Sequence, residues 1–138
     1  MAELSEFVAA QERCWPEVVS ELTAGAKRTH WIWWVFPQLA VLGRSQRATH
    51  FGLSGLDEAA HYLAHPVLGP RLETAASLLL RHRGHDPEDM LGSVDALKVR
   101  SSMTLFEAVP GASECFAGVL DEMYGGSRCD TTRAHVRR

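Results

Sequence analysis

The segment VDALKVRSSMTLF, residues 94–106, constrains this chain more than any other. At about 100° per residue, Val94, Leu97, Val99, Met103, Leu105 and Phe106 spread around the whole circumference of a helix, so most of that helix should be buried. The chain can supply the cover. At 138 residues it is one domain by length, large enough for a continuous core without metals or disulfides. Polar groups interrupt the apolar surface in an ordered way. Asp95, Lys98 and Ser102 share an arc of about 60°, flanked by Leu105 and Phe106. Ser101 faces the Val94/Leu97 side, and Thr104 lies a little beyond Leu97. A lysine is costly to bury alone, so this strip needs an ion pair, a water-lined cavity or a bound anion. Two readings stand open. Asp95 and Lys98 pair internally and lock the helix, or the strip lines a ligand pocket.

The rest of the chain reads as helices with dense punctuation and few strand patterns. Ser5 can cap a helix that runs to Gly25 and is kinked or divided by Pro16. Ser45 opens a short helix through Phe51, and Ser54 with Asp57 resembles a capping box for LDEAAHYLA. Pro66 or Pro70 suits the first turn of RLETAASLLLRH. HDPEDML reads as an aspartate cap, a proline and an acidic first turn. Ser93 begins the polar-striped helix, and Ser113 begins ECFAGVLDEMY, which Gly125-Gly126 closes. The expectation is an all-α fold, one compact domain of six or seven short helices.

The segment KRTHWIWWVFPQ, residues 27–38, gathers three tryptophans in four positions beside charge. If extended, it sends Trp31 and Trp33 one way and Ile32 and Trp34 the other; a tight turn separates them less cleanly. Either way there is more aromatic area than one core position uses. One or two rings can wall a site for a flat ligand, with Lys27, Arg28 or His30 supplying charge, or all three can fill the core. On the first helix Gln11 points between Phe7, Val18 and Leu22, where its amide needs a partner from a loop backbone or from a ligand.

Several classes are disfavoured. The formal charge of −3 argues against a general nucleic-acid binder. Cys14, Cys115 and Cys129 form no C-x-x-C pair and suggest no disulfide framework. The N-terminus has no secretory pattern, and WIWWVF is too short to span a bilayer, so the expected location is cytoplasmic. His61 and His65 have an i, i+4 spacing without the rest of a zinc motif and read as a solvated face. No metal site, no cofactor and no phosphate-loop or nucleophile-elbow motif is expected.

These segments resemble the DUF1810 family of small, all-helical bacterial proteins. EFVAAQ is similar to the family's opening, and KRTHWIWWVFPQ to its signature K-x-x-H-W-M-W-F-x-F-P-Q; LGRS, LDEAAHYLAHPVLGPRL and DALKVRSSMTLF correspond in order. The resemblance carries Gln11, His30, Trp31, Trp33, Phe36, Pro37, Gln38, Lys98, Ser101, Ser102, Thr104 and Phe106 onto the family's pattern. It fails near the end, where YGGSRCDTT puts Cys129 at the position of a usual aspartate, and the tail from about residue 127 is expected to be less ordered. Size and helical class also resemble the NADAR-type proteins, which process ADP-ribose, an analogy at the level of fold class alone.

The functional expectation is one pocket for a flat, anionic small molecule of nucleotide or ADP-ribose type. Gln11, Trp31, Trp33, Gln38, Lys98, Ser101, Ser102 and Thr104 would bind it. If hydrolysis follows, His30 or Asp95 would act as general base. The alternative is a protein-interaction module that uses the aromatic segment 30–38 as an exposed docking surface, without catalysis.

Overall fold

A computed structural model describes residues 2–136 of the chain. The fold is all-α, as expected, but holds ten α-helices among the described residues rather than six or seven. Seven of them have seven residues or more, and the two with no counterpart in the sequence reading are a single turn at Ile32–Val35 and a last helix at Asp130–Val136.

Helix α1 (Leu4–Glu12) starts one residue before Ser5. Glu3 caps it, and the Glu6 carboxylate accepts from the Glu3 backbone N–H at 2.7 Å. Pro16 divides rather than kinks the following stretch. It falls in the first turn of α2 (Trp15–Ala24), where a missing N–H costs nothing. Helix α2 ends at Gly25, whose φ of 71° is the left-handed conformation. The tryptophan segment is not extended but turns tightly, Trp33 and Trp34 lying in a single helical turn, α3 (Ile32–Val35), that follows Trp31. A 3-10 turn (Ala40–Leu42) then leads to α4 (Gln46–His50), which Ser45 caps by accepting from the Ala48 N–H at 3.1 Å.

Helix α5 (Leu56–Ala64) begins where LDEAAHYLA was expected to. The expected Ser54/Asp57 capping box does not form: Gly55 is the N-cap, and the Ser54 backbone N–H donates to the Glu58 carboxylate at 2.9 Å. Helix α6 (Leu68–Leu80) has Pro70 in its first turn. Asp86 caps α7 (Pro87–Leu91) through the Glu88 N–H at 2.9 Å. Helix α8 (Ser93–Glu107) is followed by α9 (Cys115–Met123) and α10 (Asp130–Val136). In the described part of the tail, α10 is helical and its Thr132 is fully buried; residues 137–138 lie outside the described residues.

Helix α8 packs against α3, α5, α7, α9 and α10, and α6 against α2, α3, α5 and α9. The core forms where these two long helices share neighbours. There Phe106 of α8 meets Tyr62 of α5 at 5.4 Å and Phe116 of α9 at 5.9 Å between ring centroids. The expectation of a helix buried nearly all round holds for its second half but not for its first two turns. Val94 is 64 % exposed and Leu97 55 %. Nothing covers that side of α8, and it becomes the wall of the groove described next. No helix among the described residues is long and apolar enough to cross a membrane.

Candidate ligand groove

Two pieces of chain meet beside the uncovered side of α8. Backbone bonds from the Leu53 N–H to the Gln38 carbonyl (2.9 Å) and from the Ala40 N–H to the Leu53 carbonyl (2.8 Å) pin the start of the 3-10 turn. After that turn the chain passes close to α4. A Cβ on Gly43 would lie 2.8 Å from the Ala48 carbonyl carbon, so only glycine permits the approach. Gln38, Leu42, Arg44, Ser45 and Ala48 form one wall of a surface groove of about 390 Å³. Val94, Leu97, Lys98 and Ser101 of α8 form the other.

The groove is electropositive. Its lining includes Arg44 and Lys98 but no carboxylate. Arg47, on α4, lies with its guanidinium carbon 5.0 Å from the centre of a Trp33 ring, and the Lys98 ammonium lies 5.3 Å from it. A tryptophan face attracts a cation through its quadrupole but does not neutralise the charge. The internal Asp95–Lys98 pair does not form. Asp95 instead holds the nearly buried ammonium of Lys27 at 2.8 Å. Among the described residues no carboxylate pairs with Lys98, Arg44 or Arg47.

The structure separates the expected site residues. Gln38, Lys98 and Ser101 line the groove. Ser101 is nearly buried, and its hydroxyl donates to the Leu97 carbonyl at 3.1 Å. Trp33 lies under the two cations, with its indole N–H buried and without a partner. The other members lie elsewhere. Trp31 is fully buried and donates its indole N–H to Glu21 at 3.1 Å, so it offers no face to a ligand. Gln11 is buried too, with its amide donating to the Trp34 carbonyl at 2.6 Å and to the Tyr62 hydroxyl at 3.1 Å. Its partner is thus a backbone carbonyl, though one of α3 and not of a loop. Ser102 is completely enclosed, and its hydroxyl has no hydrogen-bond partner. The Thr104 hydroxyl donates to the Arg100 carbonyl at 2.7 Å and accepts from the Cys129 N–H at 3.0 Å.

Of the two candidate bases, His30 is exposed and is not part of the groove lining. Asp95 is occupied by Lys27. Sequence reasoning missed Arg44, Arg47 and the exposed roles of Val94 and Leu97. Ser45 was visible as a cap, and a cation on either side of it was the one available signal. Among the described residues no cluster of His, Cys, Asp or Glu could hold a metal ion.

Cys129 accounts for the altered tail motif. It precedes α10 directly, and its carbonyl accepts from the Arg133 N–H at 3.0 Å. Its buried thiol sulfur accepts from the Thr132 hydroxyl at 3.2 Å. Burial pushes the thiol pKa up, but hydrogen bonds from Ser101 and Thr132 and the nearby Arg100 charge outweigh it and hold the value below the ordinary one.

Fold and site together define a single-domain, all-α protein whose surface groove is rimmed by unpaired cations. The chain belongs to the DUF1810 family, described as "Protein of unknown function (DUF1810)", and matches it over residues 1–136. It is similar to a solved structure, that of the conserved hypothetical protein Rv1873 from Mycobacterium tuberculosis. The two are 44 % identical, with a TM-score of 0.93 over 96 % of this chain and 95 % of that one. A search of curated proteins finds no match.

Proposed function

We propose that the groove between the Gln38–Ala48 segment and α8 binds a flat, anionic small molecule of nucleotide type. Phosphate oxygens would meet Lys98 and Arg44, and the ring would lie against Leu42, Val94 and Leu97. The single observation behind this reading is the Lys98 ammonium, which faces a groove without carboxylates while its nearest acidic neighbour on α8 is taken by Lys27. Cations held in place without a counter-charge gain most from an anion that enters from solution.

The reading is binding without hydrolysis, since neither His30 nor Asp95 stands free at the groove. A flat aromatic docking face on residues 30–38 has less support. Trp31, Ile32, Val35 and Phe36 are all within 1 % of full burial.

A thermal-shift panel of nucleotides, NAD, ADP-ribose and sugar phosphates tests the proposal on wild type, Lys98→Gln and Arg44→Gln. A ligand at a hundred times its dissociation constant adds about 2.7 kcal/mol of stability, and both variants should lose most of that gain. An unresponsive wild type, or shifts that survive both substitutions, would refute it.

A further inference from the structure

Leu97 belongs to two grooves at once. Besides the one above, it lines a second of about 610 Å³ on the other flank of α8, with Ser93, Ala96 and Arg100 and, from other elements, Tyr124 and Ser127. The helical period explains the division. With Leu97 as origin and about 100° per residue, Val94, Lys98 and Ser101 fall on one side, and Ser93, Ala96 and Arg100 on the other. The exposed Leu97 side chain is therefore a low ridge between two grooves that run side by side.

The second groove has a different chemistry. Arg100 donates one guanidinium N–H to the Ser127 hydroxyl at 3.2 Å, while its Nε–H is buried with no acceptor. Among the described residues no carboxylate pairs with it. That Nε–H is closed to solvent, so what an entering oxygen can meet is the part of Arg100 that lines the groove. Asp86, Glu88 and Glu122 also line the groove, all exposed, beside His85. Three carboxylates oppose a second phosphate but accept hydrogen bonds from hydroxyl groups. One guanidinium among several acceptors matches a neutral polyol. The Tyr124 hydroxyl at the groove donates to the Ala96 carbonyl at 2.7 Å.

We propose that the bound molecule is a nucleoside diphosphate carrying a terminal sugar, with its phosphates at Lys98 and Arg44 and its sugar across Leu97 in the Arg100 groove. This rests on the reading of the first groove as an anion site and adds to it the substrate class. The guanidinium of Arg100 donates to a sugar oxygen from the side that lines the groove, and sugar hydroxyls donate to the carboxylates. Leu97 lies under the bridge between the two halves.

Isothermal titration with ADP, ADP-ribose and ribose 5-phosphate tests it on wild type, Arg100→Gln, Glu122→Gln and Lys98→Gln, with folding of each checked by circular dichroism. Wild type should bind ADP-ribose at least about tenfold more tightly than ADP, a preference worth about 1.4 kcal/mol. Arg100→Gln should remove that preference and leave ADP affinity unchanged. Glu122→Gln, at an exposed position, should reduce it in part. Lys98→Gln should weaken ADP and ADP-ribose alike. Equal wild-type affinities for ADP and ADP-ribose would overturn the sugar assignment while leaving the anion site standing, as would an Arg100→Gln loss common to both. No binding by any of the three would remove both.

Discussion

Ser102 and Glu21 show how differently two buried polar side chains can be treated. The Ser102 hydroxyl is enclosed on α8 with no partner, which leaves the cost of its dehydration unrecovered. Ser102→Ala should therefore raise stability by about 1 kcal/mol, measured by urea denaturation, and leave ligand affinity untouched. Glu21 is satisfied on every side. Burial raises its pKa, but the Thr29 hydroxyl and N–H, the Arg28 N–H and the Trp31 indole bring it down to about 2. Its folded value lies below the ordinary 4.5, so its contribution is complete above that pH and is lost as pH falls from there toward 2. Glu21→Gln should cost about 2 kcal/mol at neutral pH, and its denaturation midpoint should fall less between pH 5 and 2 than that of wild type. Of these two, only Ser102 was legible as a polar residue on an apolar helix. Glu21 was not, because its partners come from a loop and a tryptophan that no helical period relates to it.

At the scale of elements, α2 and the end of α6 hold one another. The His82 ring nitrogen approaches the Leu22 carbonyl at 2.9 Å and the Thr23 carbonyl at 3.1 Å, so it donates to the last carbonyls of α2. Gly25 follows them with φ of 71°, and a Cβ there would lie 2.9 Å from that same imidazole. Gly25→Ala should therefore combine backbone strain with a clash, costing about 1–2 kcal/mol in thermal denaturation, and His82→Ala about 1 kcal/mol. The boundary of α2 was readable because glycine and proline act locally. The same holds for α4, α7 and the start of α8. Helices α3 and α10 were not readable. A single turn built from Ile32, Trp33, Trp34 and Val35 has no cap residue to announce it, and α10 follows Cys129, whose backbone N–H is held by the Thr104 hydroxyl of a helix distant in sequence.

Across the whole molecule, the part of α8 that carries the fold is distinct from the part that faces solvent. Met103, Leu105 and Phe106 are fully buried, and Phe106→Ala should cost about 3–5 kcal/mol. Leu97→Ser removes a largely exposed side chain and should move stability by no more than about 0.5 kcal/mol, yet reduce the ligand-induced shift in melting temperature. A Leu97→Ser protein that binds as well as wild type would show that the ridge contributes nothing to recognition. The sequence pattern located α8 and Lys98 but treated Val94 and Leu97 as core. Periodicity reports where apolar residues recur, and it does not report which of them the other helices leave uncovered. The groove needs α8 and the Gln38–Ala48 segment side by side, a juxtaposition no local pattern encodes.

Trp33, with an ammonium and a guanidinium against its ring, gives the molecule an optical readout of its own. Any solute that draws those charges away alters the electric field on the excited indole and shifts its emission, and the difference between wild type and Trp33→Phe separates that signal from the other three tryptophans. Occupancy could then be followed by intrinsic fluorescence at micromolar protein, with no dye and no label.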